Sequence, residues 1–95
     1  MKNHWKCYIV RCSDGSLYTG ITTDIKRRIY EHNHTKKGSK YCRSRRPVKL
    51  LDFISDLTKN EALEIELHIK SLKKNKKLDQ FEMIKEATNY QKENN

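Results

Sequence analysis

Residues 17 to 33, LYTGITTDIKRRIYEHN, decide the fold because they change from a strand pattern to a helix pattern within a few residues. Leu17–Ile21 is rich in β-type residues, whereas Asp24–Asn33 carries isoleucines at the i, i+4 spacing of a helix. Thr23 or Asp24 can cap this helix, since either side chain can accept a hydrogen bond from its first backbone N–H groups. The stretch therefore predicts a strand that leads directly into a helix.

A second strand pattern, Cys7–Cys12, precedes this stretch and is joined to it by Ser13-Asp14-Gly15-Ser16. Asp-Gly between two strand-like runs is a strong hairpin signal. A two-residue turn would place Tyr8 and Tyr18 on opposite faces of the sheet, because strand side chains alternate. A three-residue loop with a left-handed glycine would place both tyrosines on one face. The sequence permits both turns, and a shared role for the tyrosines requires the second.

The rest of the chain predicts one more strand and two more helices. Val48–Ile54 follows a proline and has strand composition, while Thr58-Lys-Asn-Glu61 matches a capping box that opens a long helix. Leu78–Ile84 predicts a last amphipathic helix. We therefore expect an α+β fold in the order ββαβαα, a small three-stranded antiparallel sheet with flanking helices. Residues 1–86 are expected to form one domain and residues 87–95 a polar, frayed tail.

The positive charge of the chain is concentrated in one segment. The net charge is +9, and residues 34–49 hold seven cations and no acidic residue. A local basic patch attracts a polyanion such as nucleic acid, although a solubilising surface or a flexible basic loop would look the same. Residues 34–46 show no periodicity and predict a polar loop. The candidate nucleic-acid-binding residues are Lys36, Lys37, Lys40, Arg43, Arg45, Arg46 and Lys49.

Other features bear on the location of the protein and on its partners. No run approaches the roughly 20 apolar residues that span a bilayer, and no signal-peptide pattern follows Met1–Lys6. The chain has three cysteines, an odd number without zinc-type spacing, which predicts packing residues or free thiols in a reducing compartment. We therefore expect a cytoplasmic protein with no membrane partner.

Residue types suited to phosphodiester cleavage recur along the chain. Tyr8 and Tyr18 lie on the two predicted strands, and Arg28 and His32 share one face of the first helix. Arginine suits a phosphate because its planar fork donates two hydrogen bonds and stays charged. A tyrosine or histidine can take or relay a proton, and Glu66 is a suitable oxygen ligand for Mg²⁺.

Each of these residues also has an ordinary explanation. Tyrosine is common in strands for structural reasons. Arg28 sits in a run of basic residues that could be a solvated face, and His32 could interact with the C-terminus of its helix. Glu66 could form an i, i+4 ion pair with Lys70. No single residue decides between structure and chemistry.

Taken together, the residues resemble the GIY-YIG nuclease superfamily, and within it a group of small, stand-alone, poorly characterised bacterial domains. The resemblance covers roughly residues 5 to 84. The sequence departs from the family motif where Lys6-Cys7 stands in place of Gly-Ile and where Thr19 stands in place of Ile. The late asparagine of some larger members has no evident counterpart. The matching segments are Lys6-Cys7-Tyr8, Leu17–Asp24, Arg28-x-x-x-His32-Asn33, Arg46–Leu50 and Ala62-x-x-x-Glu66-x-x-Ile69-Lys70.

The resemblance implies a role for each matching residue. Tyr8 would be the general base or would hold the attacking water, and Tyr18 would orient the water or the phosphate. Arg28 would stabilise the transition state. His32 would relay a proton or hold a tyrosine hydroxyl. Glu66 would bind one divalent metal, Mg²⁺ or Mn²⁺.

The resemblance also implies a role for Gly20 and a function for the chain. Gly20 would let the strand end approach the helix and the phosphate closely. The expected activity is metal-dependent, endonuclease-like hydrolysis of nucleic acid, with DNA as the expected substrate and structure-selective or weakly specific cutting. The alternative is a nucleic-acid-binding module of the same fold that does not cut. A surface that recruits a nuclease or another partner is a third hypothesis.

Overall fold

A computed structural model describes residues 3–93 of the chain. Three strands form one antiparallel sheet in the order β2-β1-β3, with helices on both faces, which confirms the predicted α+β fold. The extent of the domain stays a prediction. The elements are β1 (Trp5–Arg11), β2 (Leu17–Thr22), α1 (Ile25–His34), α2 (Lys40–Arg43), β3 (Lys49–Leu57), α3 (Lys59–Lys70) and α4 (Lys74–Glu93).

The hairpin between β1 and β2 has the three-residue loop. The Cys12 N–H donates to the Ser16 carbonyl over 2.8 Å, and the Gly15 N–H donates to the Cys12 carbonyl over 2.9 Å. Gly15 has a φ of 83°, the left-handed conformation that this loop requires. Tyr8 therefore pairs with Gly20, and Tyr18 pairs with Val10. Because paired positions share a face, Tyr8 and Tyr18 lie on the same side of the sheet.

The central strand β1 is buried on both faces, and each face has its own apolar cluster. Cys7 and Ile9 point toward α3 and α4, where they share a cluster with Ile69 and Phe81. The alternate residues of β1, Tyr8 among them, pack in a second cluster with residues of β2, α1, α2 and β3. The three cysteines are buried free thiols, as predicted. Tyr8 thus lies between the sheet and the α1–α2 layer.

Two regions differ from the sequence prediction. The predicted polar loop of residues 34–46 contains the short helix α2, because the Ser39 hydroxyl accepts a hydrogen bond from the Cys42 N–H at 3.1 Å and Cys42 is buried. Helix α4 is longer than predicted and includes residues 87–93, where a frayed tail was expected. Phe81 is fully buried and anchors α4 to the core. Residues 94–95 lie outside the described part of the chain.

Within residues 3–93, none of the helices has the length and apolar composition needed to cross a membrane.

Candidate active site

Three aromatic rings from three elements meet on the α1 face of the sheet. Tyr8 comes from β1, Tyr18 from β2 and His32 from α1. The ring centroids are 6.5 Å apart for the two tyrosines, 5.8 Å for Tyr8 and His32, and 5.5 Å for Tyr18 and His32. The hairpin register places the tyrosines side by side, and α1 then lays His32 against both. The structure therefore brings three of the predicted catalytic residues together.

A short hydrogen bond joins two of these residues. The Tyr8 hydroxyl and His32 Nε2 are 2.6 Å apart, and both side chains are buried. The other ring nitrogen, Nδ1, accepts a hydrogen bond from the backbone N–H of Ser39 at 3.1 Å. His32 is therefore held at both nitrogens, by the sheet on one side and by the segment after α1 on the other.

Burial sets the ionisation of this pair. It raises the pKa of the Tyr8 hydroxyl well above its ordinary value, Tyr18 adds to the rise, and the positive charge of Arg28 opposes it. Burial also lowers the pKa of His32 to about 4, helped by the charges of Arg28 and Arg46. Both groups are thus neutral near pH 7, and Arg28 supplies the positive charge beside them.

Arg28 is fixed at one end and partly open to solvent. Its Nη1 donates to Glu31 Oε1 at 2.9 Å and to the Lys37 carbonyl at 2.8 Å, while a quarter of the side chain stays exposed. The bond to Arg28 is also the main cause that lowers the pKa of the Glu31 carboxyl. The guanidinium carries Nη2 and Nε as further donors. Arg28 is therefore pre-oriented, with part of its side chain open to solvent.

Gly20 lies opposite Tyr8 in the β1–β2 ladder and makes room for its ring. A Cβ atom at Gly20 would lie 2.6 Å from Tyr8 Cζ and closer still to the hydroxyl oxygen. The sequence prediction expected Gly20 to bring the strand end close to the helix and the phosphate. In the structure, the group in close approach is the Tyr8 ring, so Gly20 positions Tyr8.

Glu66 is connected to the ring cluster through Lys70. Glu66 Oε2 and Lys70 Nζ are 3.3 Å apart, which is the i, i+4 ion pair foreseen as its ordinary role. Lys70 Nζ also lies 5.0 Å from the centroid of the Tyr18 ring. Lys70 therefore joins helix α3 to the edge of the sheet at the tyrosines. Glu66 itself has no hydrogen bond with Tyr8, Arg28 or His32 in this arrangement.

The donor set around Glu66 fits one kind of metal site. Across residues 3–93, no three or more His, Cys, Asp or Glu side chains are grouped closely enough to hold a metal ion. Mg²⁺ commonly binds one or two carboxylates and completes its shell with water and substrate phosphate oxygens. A single, largely buried carboxylate at Glu66 suits a metal of that kind, shared with a substrate.

The basic segment divides into exposed and engaged cations. Arg45 Nε lies 3.0 Å from Asp14 Oδ2, and its guanidinium stacks on Tyr41 at 3.7 Å from the ring centroid. Arg46 donates to the His32 carbonyl at 2.6 Å and to other carbonyls at the end of α1, which it caps. These contacts give Arg45 and Arg46 structural roles, while nucleic-acid binding stays a prediction. The cations that remain exposed are Lys36, Lys37, Lys40, Arg43 and Lys49.

Sequence reasoning missed two residues that support the site. Tyr41 of α2 stacks on Tyr18, with ring centroids 5.7 Å apart and an interplanar angle of 24°. Gly38 is buried, and a Cβ atom there would lie 2.7 Å from the Cα of His32. A glycine just before a serine cap is a signal for close backbone approach. No local sequence pattern pointed to Tyr41, because its stacking partner Tyr18 lies on a different element of the fold.

Comparison with known proteins identifies the family of the chain. The family model of the GIY-YIG catalytic domain matches residues 4–79. A UPF0213 protein of Desulfotalea psychrophila is 52% identical over 73 residues, which are 77% of this chain and 66% of that protein. A UPF0213 protein of Bacillus pumilus is 42% identical over 89 residues, covering 90% of this chain and 89% of the relative. The solution NMR structure of a UPF0213 protein from Bacillus halodurans is 40% identical, covers 83% of each chain and superposes with a TM-score of 0.52. The chain therefore belongs to the GIY-YIG catalytic domain family.

Proposed function

We propose that this protein hydrolyses phosphodiester bonds in nucleic acid, with DNA as the substrate and a divalent metal held by Glu66. The observation that carries the proposal is the 2.6 Å bond between Tyr8 and His32, placed beside the charge of Arg28. GIY-YIG nucleases act on nucleic acid, and the region matched by the family model includes Tyr8, Tyr18, Arg28, His32 and Glu66. A tyrosine, a histidine and a fixed arginine in one cluster can position a water and stabilise developing charge.

In the proposed reaction, the oxygen of a water molecule attacks phosphorus and the bond from phosphorus to the leaving sugar oxygen breaks. Tyr8, whose hydroxyl is protonated near pH 7, holds that water in line, and His32 holds the Tyr8 hydroxyl. The proton of the attacking water passes to solvent, and solvent protonates the leaving sugar oxygen. Negative charge grows on the non-bridging phosphate oxygens, where the guanidinium of Arg28 stabilises it. A metal bound at Glu66 would neutralise further charge on the same phosphate.

The exposed cations favour contact with the nucleic-acid backbone. The segment that follows α1 in the chain carries four exposed cations, Lys36, Lys37, Lys40 and Arg43, and strand β3 begins with a fifth, Lys49. Contacts to phosphates give affinity but carry no sequence information. The proposed cleavage is therefore weakly specific or selective for the structure of the substrate.

A binding module that does not cut is the second candidate. Two observations favour it: Tyr8 is only 1% exposed, and Glu66 is already paired with Lys70. On this hypothesis the fold and the basic segment are used for binding, and the ring cluster serves only to hold β1, β2 and α1 together.

One assay distinguishes the two candidate functions, cleavage and binding without cleavage. Labelled linear, flapped and single-stranded DNA and RNA are incubated with the protein and Mg²⁺ or Mn²⁺, beside Glu66→Ala and a matched Glu64→Ala control. Glu64 is an exposed acid on the same helix. We expect metal-dependent cleavage that Glu66→Ala abolishes and Glu64→Ala keeps. Binding without cleavage on every substrate would favour the second candidate.

A further inference from the structure

The segment between α1 and α2, here called the 35–39 loop (Thr35–Ser39), lies unusually close to α1. A Cβ atom at Gly38 would lie 2.6 Å from the Glu31 carbonyl oxygen and 2.7 Å from His32 Cα. Both neighbours are backbone atoms, which cannot move aside as a flexible side chain can. Only glycine therefore allows the loop to lie where it does.

This close approach delivers two backbone groups to two site residues. The Ser39 N–H donates to His32 Nδ1 at 3.1 Å, and the Lys37 carbonyl accepts from Arg28 Nη1 at 2.8 Å. The two groups flank Gly38 in the chain. A shift of the loop would therefore disturb both His32 and Arg28.

The bond from Ser39 decides where the proton of His32 resides. A backbone N–H can only donate, so Nδ1 must present its lone pair and cannot carry a proton. Neutral His32 then carries its proton on Nε2 and donates it to the Tyr8 hydroxyl oxygen. We propose that the 35–39 loop is a positioning element that fixes His32 in the Nε2–H tautomer, so that His32 donates to Tyr8 and cannot accept a proton from it.

This tautomer distinguishes between the two roles that the sequence allowed for His32, which are relaying a proton and holding a tyrosine hydroxyl. His32 does not relay the Tyr8 proton, because Nε2 has no free lone pair in this tautomer. Instead, the Tyr8 hydroxyl proton points away from His32, and a Tyr8 phenolate would be stabilised by the Nε2–H group. The charged or titratable groups around His32 are consistent with the Nε2–H tautomer. They are Tyr8 and Tyr18 from the sheet, Arg28 and Glu31 from α1, and Arg46 from the segment before β3. The catalytic meaning of the tautomer rests on the proposed function, whereas the tautomer itself does not.

A pair of substitutions tests the contact between the Ser39 N–H group and His32. Ser39 has a φ of −60°, which proline can adopt, and Ser39→Pro replaces the N–H with the Cδ methylene of the ring. That methylene points at His32 Nδ1, so it removes the hydrogen bond and also pushes the loop and the imidazole apart. Both Ser39→Pro and Ser39→Ala remove the hydroxyl that caps α2, but Ser39→Ala keeps the N–H. The difference between the two variants therefore reports on the loss of the contact between the Ser39 N–H and His32, both the hydrogen bond and the position of the loop. Gly38→Ala is a second variant that displaces the loop and keeps the N–H.

The readout is the ¹⁵N NMR spectrum of the His32 ring, which distinguishes the two neutral tautomers and the protonated form without any cleavage assay. We expect the Nε2–H tautomer in the wild type and in Ser39→Ala. In Ser39→Pro, the ratio of Nε2–H to Nδ1–H should fall at least about five-fold, the effect of losing one buried hydrogen bond. Gly38→Ala should shift the ratio in the same direction.

Two results would overturn the inference. One is a wild-type spectrum with the proton on Nδ1, which needs no variant to fold. The other is an unchanged ratio in a folded Ser39→Pro protein. A wild type that shows the expected tautomer but cuts no substrate would support the role of the loop and count against the proposed activity alone.

Discussion

Replacing Gly20 with alanine should test how tightly the position of Tyr8 controls cleavage. The new Cβ would lie 2.6 Å from Tyr8 Cζ, and ordinary contacts begin at 3.4 Å, so the ring must move by about 0.8 Å. A displacement of that size is larger than the spread of distances between nitrogen and oxygen in good hydrogen bonds. It would therefore weaken or break the 2.6 Å hydrogen bond between Tyr8 and His32. A misplacement of about 1 Å in an active site can lower the rate on the order of 10²-fold. Overpacking should also destabilise the fold by about 1–3 kcal/mol.

The assay is single-turnover cleavage at saturating protein, with thermal unfolding measured on the same samples. Gly20→Ala is compared with Tyr8→Phe and with the double variant. If Gly20 acts through the Tyr8 hydroxyl, the double variant should be little slower than Tyr8→Phe alone, because interacting residues are not additive. A wild-type rate in Gly20→Ala would refute the reasoning. Fully additive losses would show that Gly20 acts elsewhere.

Three further predictions follow from the site. The folded pKa of His32, about 4, lies below its ordinary value of 6.5, so the contribution of His32 to stability should be constant above pH 6.5 and decrease as the pH drops from 6.5 toward 4, by at most about 1.4 kcal/mol per unit. Urea unfolding should show this slope in the wild type and not in His32→Gln, and an equal slope in both would contradict it. Lys70→Met should free Glu66 and tighten Mn²⁺ binding by up to about five-fold, since partly exposed ion pairs contribute up to about 1 kcal/mol. Calorimetry with Lys73→Met as the control tests this, and unchanged Mn²⁺ affinity in Lys70→Met would mean that Lys70 does not compete with the metal. Replacing Lys36, Lys37 and Arg43 with alanine should weaken binding to all sequences alike and flatten its salt dependence, whereas Arg46→Ala should mainly lower the melting temperature. An unchanged salt slope in the triple variant would place the binding surface elsewhere.

Features set by near neighbours in the chain could be predicted from the sequence. The Thr58 hydroxyl accepts from the Glu61 N–H at 3.1 Å, and the Glu61 carboxylate accepts from the Thr58 N–H at 2.8 Å, as the capping box indicated. Asp24 likewise caps α1 by accepting from the Arg27 N–H at 3.0 Å. These bonds span three residues, so the local sequence contains both partners.

Features that depend on distant contacts could not be predicted in this way. The choice between two hairpin loops at Gly15 depends on how the Tyr8 face packs against α1 and α2, which a local pattern does not contain. Arg46 caps a helix that ends about a dozen residues earlier in the chain, and its basic neighbours gave no signal of this capping role. The bond from Ser39 to His32 likewise requires the backbone approach at Gly38, which composition alone does not show.

The most direct test of the central claim compares the rate and the affinity of Arg28→Ala with those of the wild type on the same DNA substrate. If Arg28 stabilises the transition state, the cleavage rate should fall on the order of 10²–10³-fold. The dissociation constant should change little, because the exposed cations of the segment after α1 remain. Circular dichroism confirms that the variant is folded. Cleavage by Arg28→Ala at the wild-type rate, or an absence of cleavage by the wild type on every DNA and RNA substrate tried with Mg²⁺ and Mn²⁺, would contradict the claim.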